Sequence, residues 1–114
     1  MPNQTPSIEA TFGALSDPTR LAVVAALCNG PSTVSDLAAP FDMALPSFTQ
    51  HLGVLENAGL IVSRRQGRAR VCELNPGALR AAEDRLAAYR LEWEARLDRF
   101  ETHLAKMQKE TRDD

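Results

Sequence analysis

Four arginines, Arg64, Arg65, Arg68 and Arg70, fall within seven residues, and no acid lies between residues 59 and 72. A guanidinium is always charged and presents a planar fork of donors that matches phosphate oxygens. The chemistry open to this cluster is recognition of a polyanion, not bond making. The surrounding chain is acidic: residues 1–58 carry −4, with Arg20 as their one base, residues 59–72 carry +4, and residues 73–114 carry −2. The net charge of −2 therefore conceals one compact basic segment.

A second set lies just upstream. Over residues 45–58, Phe48, Leu52 and Leu55 share one face at helical spacing, while Pro46, Gln50, Gly53 and Asn57 lie opposite and Ser47 and Thr49 flank them. Gln50 suits the paired donor and acceptor of an adenine edge, and Ser47 and Thr49 reach bases or phosphates. His51, at the edge of the buried face, suits packing, a backbone hydrogen bond or a phosphate contact. This stretch holds no Lys or Arg, so the electrostatic load falls on the arginine cluster. Taken singly, the polar face could be ordinary solvated helix and the arginines a guard against strand-edge pairing. Side by side, they point to double-stranded DNA.

Other chemistry finds little material. Cys28, Cys72, His51 and His103 are scattered, whereas a soft metal needs three or four ligands at short range, so neither a metal nor a cofactor is expected. Strand alternation sets Cys72 on the arginine face, where a thiolate is stabilised, which leaves a cysteine redox switch as an alternative. There is no Gly-rich phosphate loop, no His-x-x-x-His pair and no local Ser, His and Asp set, so no catalytic residue is assigned and no enzyme is expected. Two cysteines are too few for a disulfide framework, and the start lacks the charged and apolar blocks of a secretory signal. With no apolar run of about 18 residues, the expectation is a cytoplasmic protein with no membrane partner.

The 114 residues, 44% of them hydrophobic, suffice for one small domain that positions these groups. Residues 1–7 read as a flexible arm and residues 8–108 as a single domain. Ile8, Phe12 and Leu15 mark a first helix. Asp17-Pro18 starts a second, whose run from Leu21 to Leu27 is apolar enough to be buried on most sides. Thr33 to Asp36 has capping-box spacing and opens a short helix carrying Val34, Leu37 and Ala38. Residues 60–74 read as a β-hairpin turning at Gln66-Gly67, with Arg65 facing Arg68, Ser63 facing Arg70, and Leu60, Val62 and Val71 pointing inward. From Pro76 to residue 108 one long helix carries Leu79, Ala82, Leu86, Tyr89, Trp93, Leu97, Phe100, Leu104 and Met107, read as alternating steps of three and four over four heptads. That seam exceeds what so small a domain covers, so a second copy is the expected partner. Residues 109–114 read as a frayed tail.

The order of elements is mainly α with a small β-hairpin, the plan of a winged helix-turn-helix. Three stretches, Ala14-Leu15-Ser16-Asp17-Pro18-Thr19-Arg20, Leu45 through Ile61, and the hairpin Arg64 to Leu74, resemble the ArsR-type transcriptional regulators over roughly residues 8–100. The resemblance implies a homodimeric DNA-binding repressor or regulator, dimerised through its first and last helices. Pro46, Ser47, Thr49, Gln50, His51 and Gly53 would then face DNA from the recognition helix, and Arg64, Arg65, Arg68 and Arg70 from the wing. Phe12, Leu15, Tyr89, Trp93, Leu97 and Phe100 would form the dimer contact. Gly53 departs from the family, which often has a basic residue there. The short helix lacks the cysteines of the arsenic-type and lead-type sensors, and the long helix has His103 alone, so the likeness is to the subgroup without metal-sensing motifs. No pattern specifies an effector. A winged-helix protein-interaction module is the main rival.

Overall fold

The computed structural model describes residues 7–112. The expected arm, apart from Ser7, and the last two residues of the expected tail lie outside them. The described chain falls into two units, dividing after Ala82.

In the first unit, short polar side chains decide where three helices begin. Ser7 Oγ accepts from the Ala10 N–H at 3.0 Å and opens α1 (Ile8–Leu15). Asp17 Oδ2 accepts from the Arg20 N–H at 3.1 Å, and Pro18 needs no partner, so α2 (Pro18–Leu27) starts there. Thr33 Oγ1 accepts from the Asp36 N–H at 3.1 Å and opens α3 (Val34–Ala38). Helix α4 (Leu45–Asn57) has Pro46 in its first turn and no side-chain cap, and Gly59, at φ +77°, turns the chain behind it.

Three antiparallel strands, β1 (Ser32–Thr33), β2 (Ile61–Gln66) and β3 (Ala69–Leu74), lie in the order β1-β3-β2. Strand β1 escapes sequence reading because its two residues, paired with Cys72 and Val71, also form the approach to the α3 cap. The hairpin turn lies one residue later than expected, which moves each residue's cross-strand partner by two. Gln66 pairs with Ala69, so Gly67 and Arg68 form the turn and Arg65 lies opposite Arg70. Gly67 takes φ +65° at the first central position, which a two-residue hairpin turn favours and which Gln66 would fill only with strain. Each strand therefore keeps its expected division of faces, with Ile61, Ser63 and Arg65 still lying with Arg70 and Cys72. What differs is the side the core takes along β2: Ile61 is buried and Val62, expected inside, is 48% exposed, while Leu60 and Val71 are buried as expected.

The core gathers Val23, Phe48, Leu55, Leu60, Ile61 and Cys72, all fully buried. The Phe41 and Phe48 rings meet at 5.4 Å in a tilted pair. Helix α2 is buried along one stripe, Val23, Val24 and Leu27, rather than on most sides; Leu21 is exposed, and its alanines are too small to form a second contact face. Asn75 closes the base of the hairpin. Its N–H donates to the Leu60 carbonyl at 2.9 Å and its Nδ2 to the Gly59 carbonyl at 3.0 Å, while Oδ1 accepts from the Gly77 N–H at 3.3 Å. Helix α5 (Pro76–Arg112) begins there, burying Ala82 and packing Ala78 and Leu79 against the core.

The second unit is the remainder of α5, which continues beyond residue 108 to Arg112 with Lys109 and Arg112 in its last turn. Cations there suit the carbonyl end of the helix. Leu86, Tyr89, Trp93, Leu97, Phe100, Leu104 and Met107 are 37–62% exposed. Their steps do not alternate strictly: two successive fours, from Tyr89 to Trp93 and from Trp93 to Leu97, make Leu86, Tyr89 and Trp93 recur eleven residues later as Leu97, Phe100 and Leu104. Over the whole stretch from Leu79 to Met107 the eight steps still span 28 residues, an average of 3.5, the heptad value.

Candidate nucleic-acid interface

Helix α4 turns Phe48, Leu52 and Leu55 into the core and leaves Pro46, Ser47, Thr49 and Gln50 exposed, with Gly53 half-buried. The amide of Gln50 is therefore free to meet a base edge. Thr49 Oγ1 donates to the Pro46 carbonyl at 3.0 Å, so its hydroxyl offers an outside group only acceptor capacity in this rotamer. Gly53 is needed neither for a positive φ nor for close packing, since an added Cβ would meet nothing within 4 Å.

Both edges of α4 are tied down by residues that sequence reading did not join. His51, half-buried, has its Nδ1 at 3.1 Å from Arg20 Nη1 and 3.7 Å from Asp17 Oδ2. On the opposite edge Glu56 accepts from the Ser63 hydroxyl on β2. The DPTR sequence at Asp17–Arg20 carried the signal, because a lone arginine in an otherwise acidic stretch needs a partner. Nothing in the sequence named His51 as that partner. The Arg20 N–H at its cap holds the Asp17 carboxyl below its ordinary range, with burial acting the other way.

The hairpin divides its arginines between positions. Antiparallel register places Ile61, Ser63 and Arg65 on one face with Leu74, Cys72 and Arg70. This is the face that meets α4 through Ser63 and Glu56. Arg64 lies on the other face and pairs with Glu73 at 2.6 Å. Arg68 occupies the turn. Arg65 directly opposite Arg70 is a repulsive cross-strand pair, unfavourable to folding and suited to an external anion.

Between α3, α4 and β3 lies a cleft of about 300 Å³ whose walls include Thr49, Gly53, Glu56, Arg70 and Cys72. Thus the polar side of α4 and an arginine of the wing border one concavity. Cys72 does share the arginine face, but it is buried, and burial first, then Glu56, pushes its thiol up against the weaker opposing effect of Arg70. The expected stabilised thiolate is not what this site favours. Cys28, expected at the end of a buried helix, is exposed at the α2 C-cap. Among the described residues no group of three or more His, Cys, Asp or Glu could hold a metal ion, and no helix is long and apolar enough to cross a membrane.

A family model described as a helix-turn-helix domain matches residues 15–64. The HTH-type transcriptional regulator Rv2034 of Mycobacterium tuberculosis is 40% identical over 75 residues, 66% of this chain and 70% of the relative. The transcriptional repressor SdpR of Bacillus subtilis is 37% identical over 68 residues, 60% of this chain and 76% of the relative. The crystal structure of an ArsR family transcriptional regulator superposes with a TM-score of 0.73 at 48% identity, over 76% of this chain and 96% of that one. Kinship across most of these relatives, a shared fold, and a polar helix face set beside an arginine hairpin lead to one assignment: the chain belongs to the ArsR family of winged helix-turn-helix transcriptional regulators.

Proposed function

We propose that the chain is a homodimeric repressor of the subgroup without metal-sensing motifs, and that it binds a palindromic operator. The observation that carries this reading is the shared concavity: Arg70 of the wing and the exposed side of α4 border one cleft. Gln50 and Ser47 read base edges in the major groove, with Pro46, Thr49 and Gly53 along the approach. Arg65, Arg68 and Arg70 hold phosphates or enter the minor groove, and Arg64, already paired with Glu73, contributes less. The exposed stripe of α5, including Tyr89, Trp93, Leu97 and Phe100, supports pairing of two copies. Phe12 and Leu15 of α1 are half-buried, and Leu15 packs against the chain's own core, so α5 is the main contact. Two recognition helices then enter major grooves about 34 Å apart.

Selection of bound sequences from random duplex DNA, combined with sedimentation of the complex, tests this. An enriched inverted repeat bound by two chains is expected; no enrichment, or a single bound chain, overturns it. The absence of Lys and Arg from α4 favours one second reading, a protein-interaction module. For that module, duplex DNA would fail to bind at about 150 mM salt.

A further inference from the structure

Arg20 sends its donors in two directions. Nε donates to the Ala14 carbonyl at 2.8 Å and Nη2 to the Gly13 carbonyl at 3.4 Å, both near the C-terminal end of α1, while Nη1 reaches His51 Nδ1 on α4 at 3.1 Å. A guanidinium has no acceptor and does not deprotonate in proteins, so Nδ1 must supply the lone pair. The His51 ring in this arrangement is neutral, with its proton on Nε2.

We infer that Arg20 is a positioning residue for DNA recognition: by donating to neutral His51 it fixes the seating of α4 against the α1–α2 corner, so that Ser47 and Gln50 are presented at base height. The inference rests on α4 being the helix that reads bases. Protonating His51 turns Nδ1 into a donor, removes the hydrogen bond and leaves two cations facing each other, with Asp17 at 3.7 Å as the competing partner. Of the elements packed against α4, α2 supplies Arg20 and, at its cap, Asp17. Helix α1 supplies the carbonyls that hold Arg20, and β2 supplies Ser63 to Glu56, with Arg64 taken by Glu73. Loss of the brace therefore accompanies protonation of the His51 ring.

The test is fluorescence anisotropy with a duplex obtained by random-pool selection and a scrambled duplex, between about pH 7.5 and about pH 5.5. Wild-type affinity for the selected duplex is expected to fall about tenfold, the worth of one charge-assisted hydrogen bond, while the scrambled duplex changes less than about twofold. His51→Gln keeps an amide oxygen for Arg20 and does not titrate, so whatever its affinity at the higher pH it should give a flat profile. His103→Gln, at the other imidazole, should follow wild type. Arg20→Gln should bind the selected duplex weakly at both pH values. Should it fail to fold, His51→Ala, which keeps the Arg20 bonds to α1, carries the same expectation. A wild-type pH slope in His51→Gln, or wild-type affinity in a folded His51→Ala, overturns the inference. If instead Gln50→Ala leaves base preference unchanged, the reading of α4 itself has failed and the inference falls with it.

Discussion

Phe48 and Phe100 lie on apolar stripes of the same helical period, yet one is fully buried and the other 57% exposed. In α4 the stripe closes onto α2, β2 and the Phe41 ring. Beyond Ala82, α5 displays an equally regular stripe on which the described chain buries no residue. Periodicity thus announces that a face is apolar without saying what covers it. The first unit encloses a core of its own and carries the groups proposed to face DNA; the second leaves its apolar stripe to the proposed partner copy.

Matched truncations should break this comparison if it is wrong. Phe48→Ala is expected to cost about 3–5 kcal/mol of folding stability, read from urea denaturation. Phe100→Ala should leave the stability of the first unit unchanged and weaken self-association in sedimentation; equal destabilisation by both would erase the distinction. Leu97→Glu places a charge in the α5 stripe and should yield a folded monomer, with operator affinity down about 100-fold because two linked half-sites no longer act together.

Next come changes confined to the first unit, which should alter DNA binding without touching self-association. Gln50→Ala is expected to lose about 1–3 kcal/mol of discrimination at one base position, measured by competition with substituted duplexes. Arg70→Ala should reduce the slope of log affinity against log salt by about 0.9, and Arg64→Ala by less, since Glu73 already neutralises Arg64. Smallest is the acid limb of stability. The Asp17 carboxyl lies lower in the folded state than its ordinary 3.8, so its contribution is present above that value and disappears as pH falls below it. Asp17→Asn should make acid denaturation less steep there.

Much of the fold was legible because local chemistry and global packing agree: Asp17-Pro18, Thr33 and Gly59 mark helix ends wherever they occur. The hairpin was placed one residue off because Gln66, Gly67 and Arg68 permit two turns. The choice rests on whether Gly67 is the first or second central residue; which of Ile61 and Val62 is buried is a separate matter, set by the face that packs on α4. Strand β1 depends on a partner about forty residues away, which no local pattern encodes. The polar face of α4 and the arginine cluster were visible as compositions. Their meeting across one cleft, and the Arg20–His51 link, arise only when distant segments pack.

Asn75 gives the wing a mechanical character. A hairpin is ordinarily loosest at its open end, but here the Gly59 and Leu60 carbonyls are clasped by the residue that starts α5. The base becomes a pivot and the two strands a lever about 20 Å long, from six residues at about 3.3 Å each. A rotation of about 10° at that pivot carries Arg68 through about 3.5 Å, about half a minor-groove width. On the proposed DNA contact, a wing turning there would follow local variation in groove width, and amide exchange along it should be slowest at the clasp and quicken toward the tip.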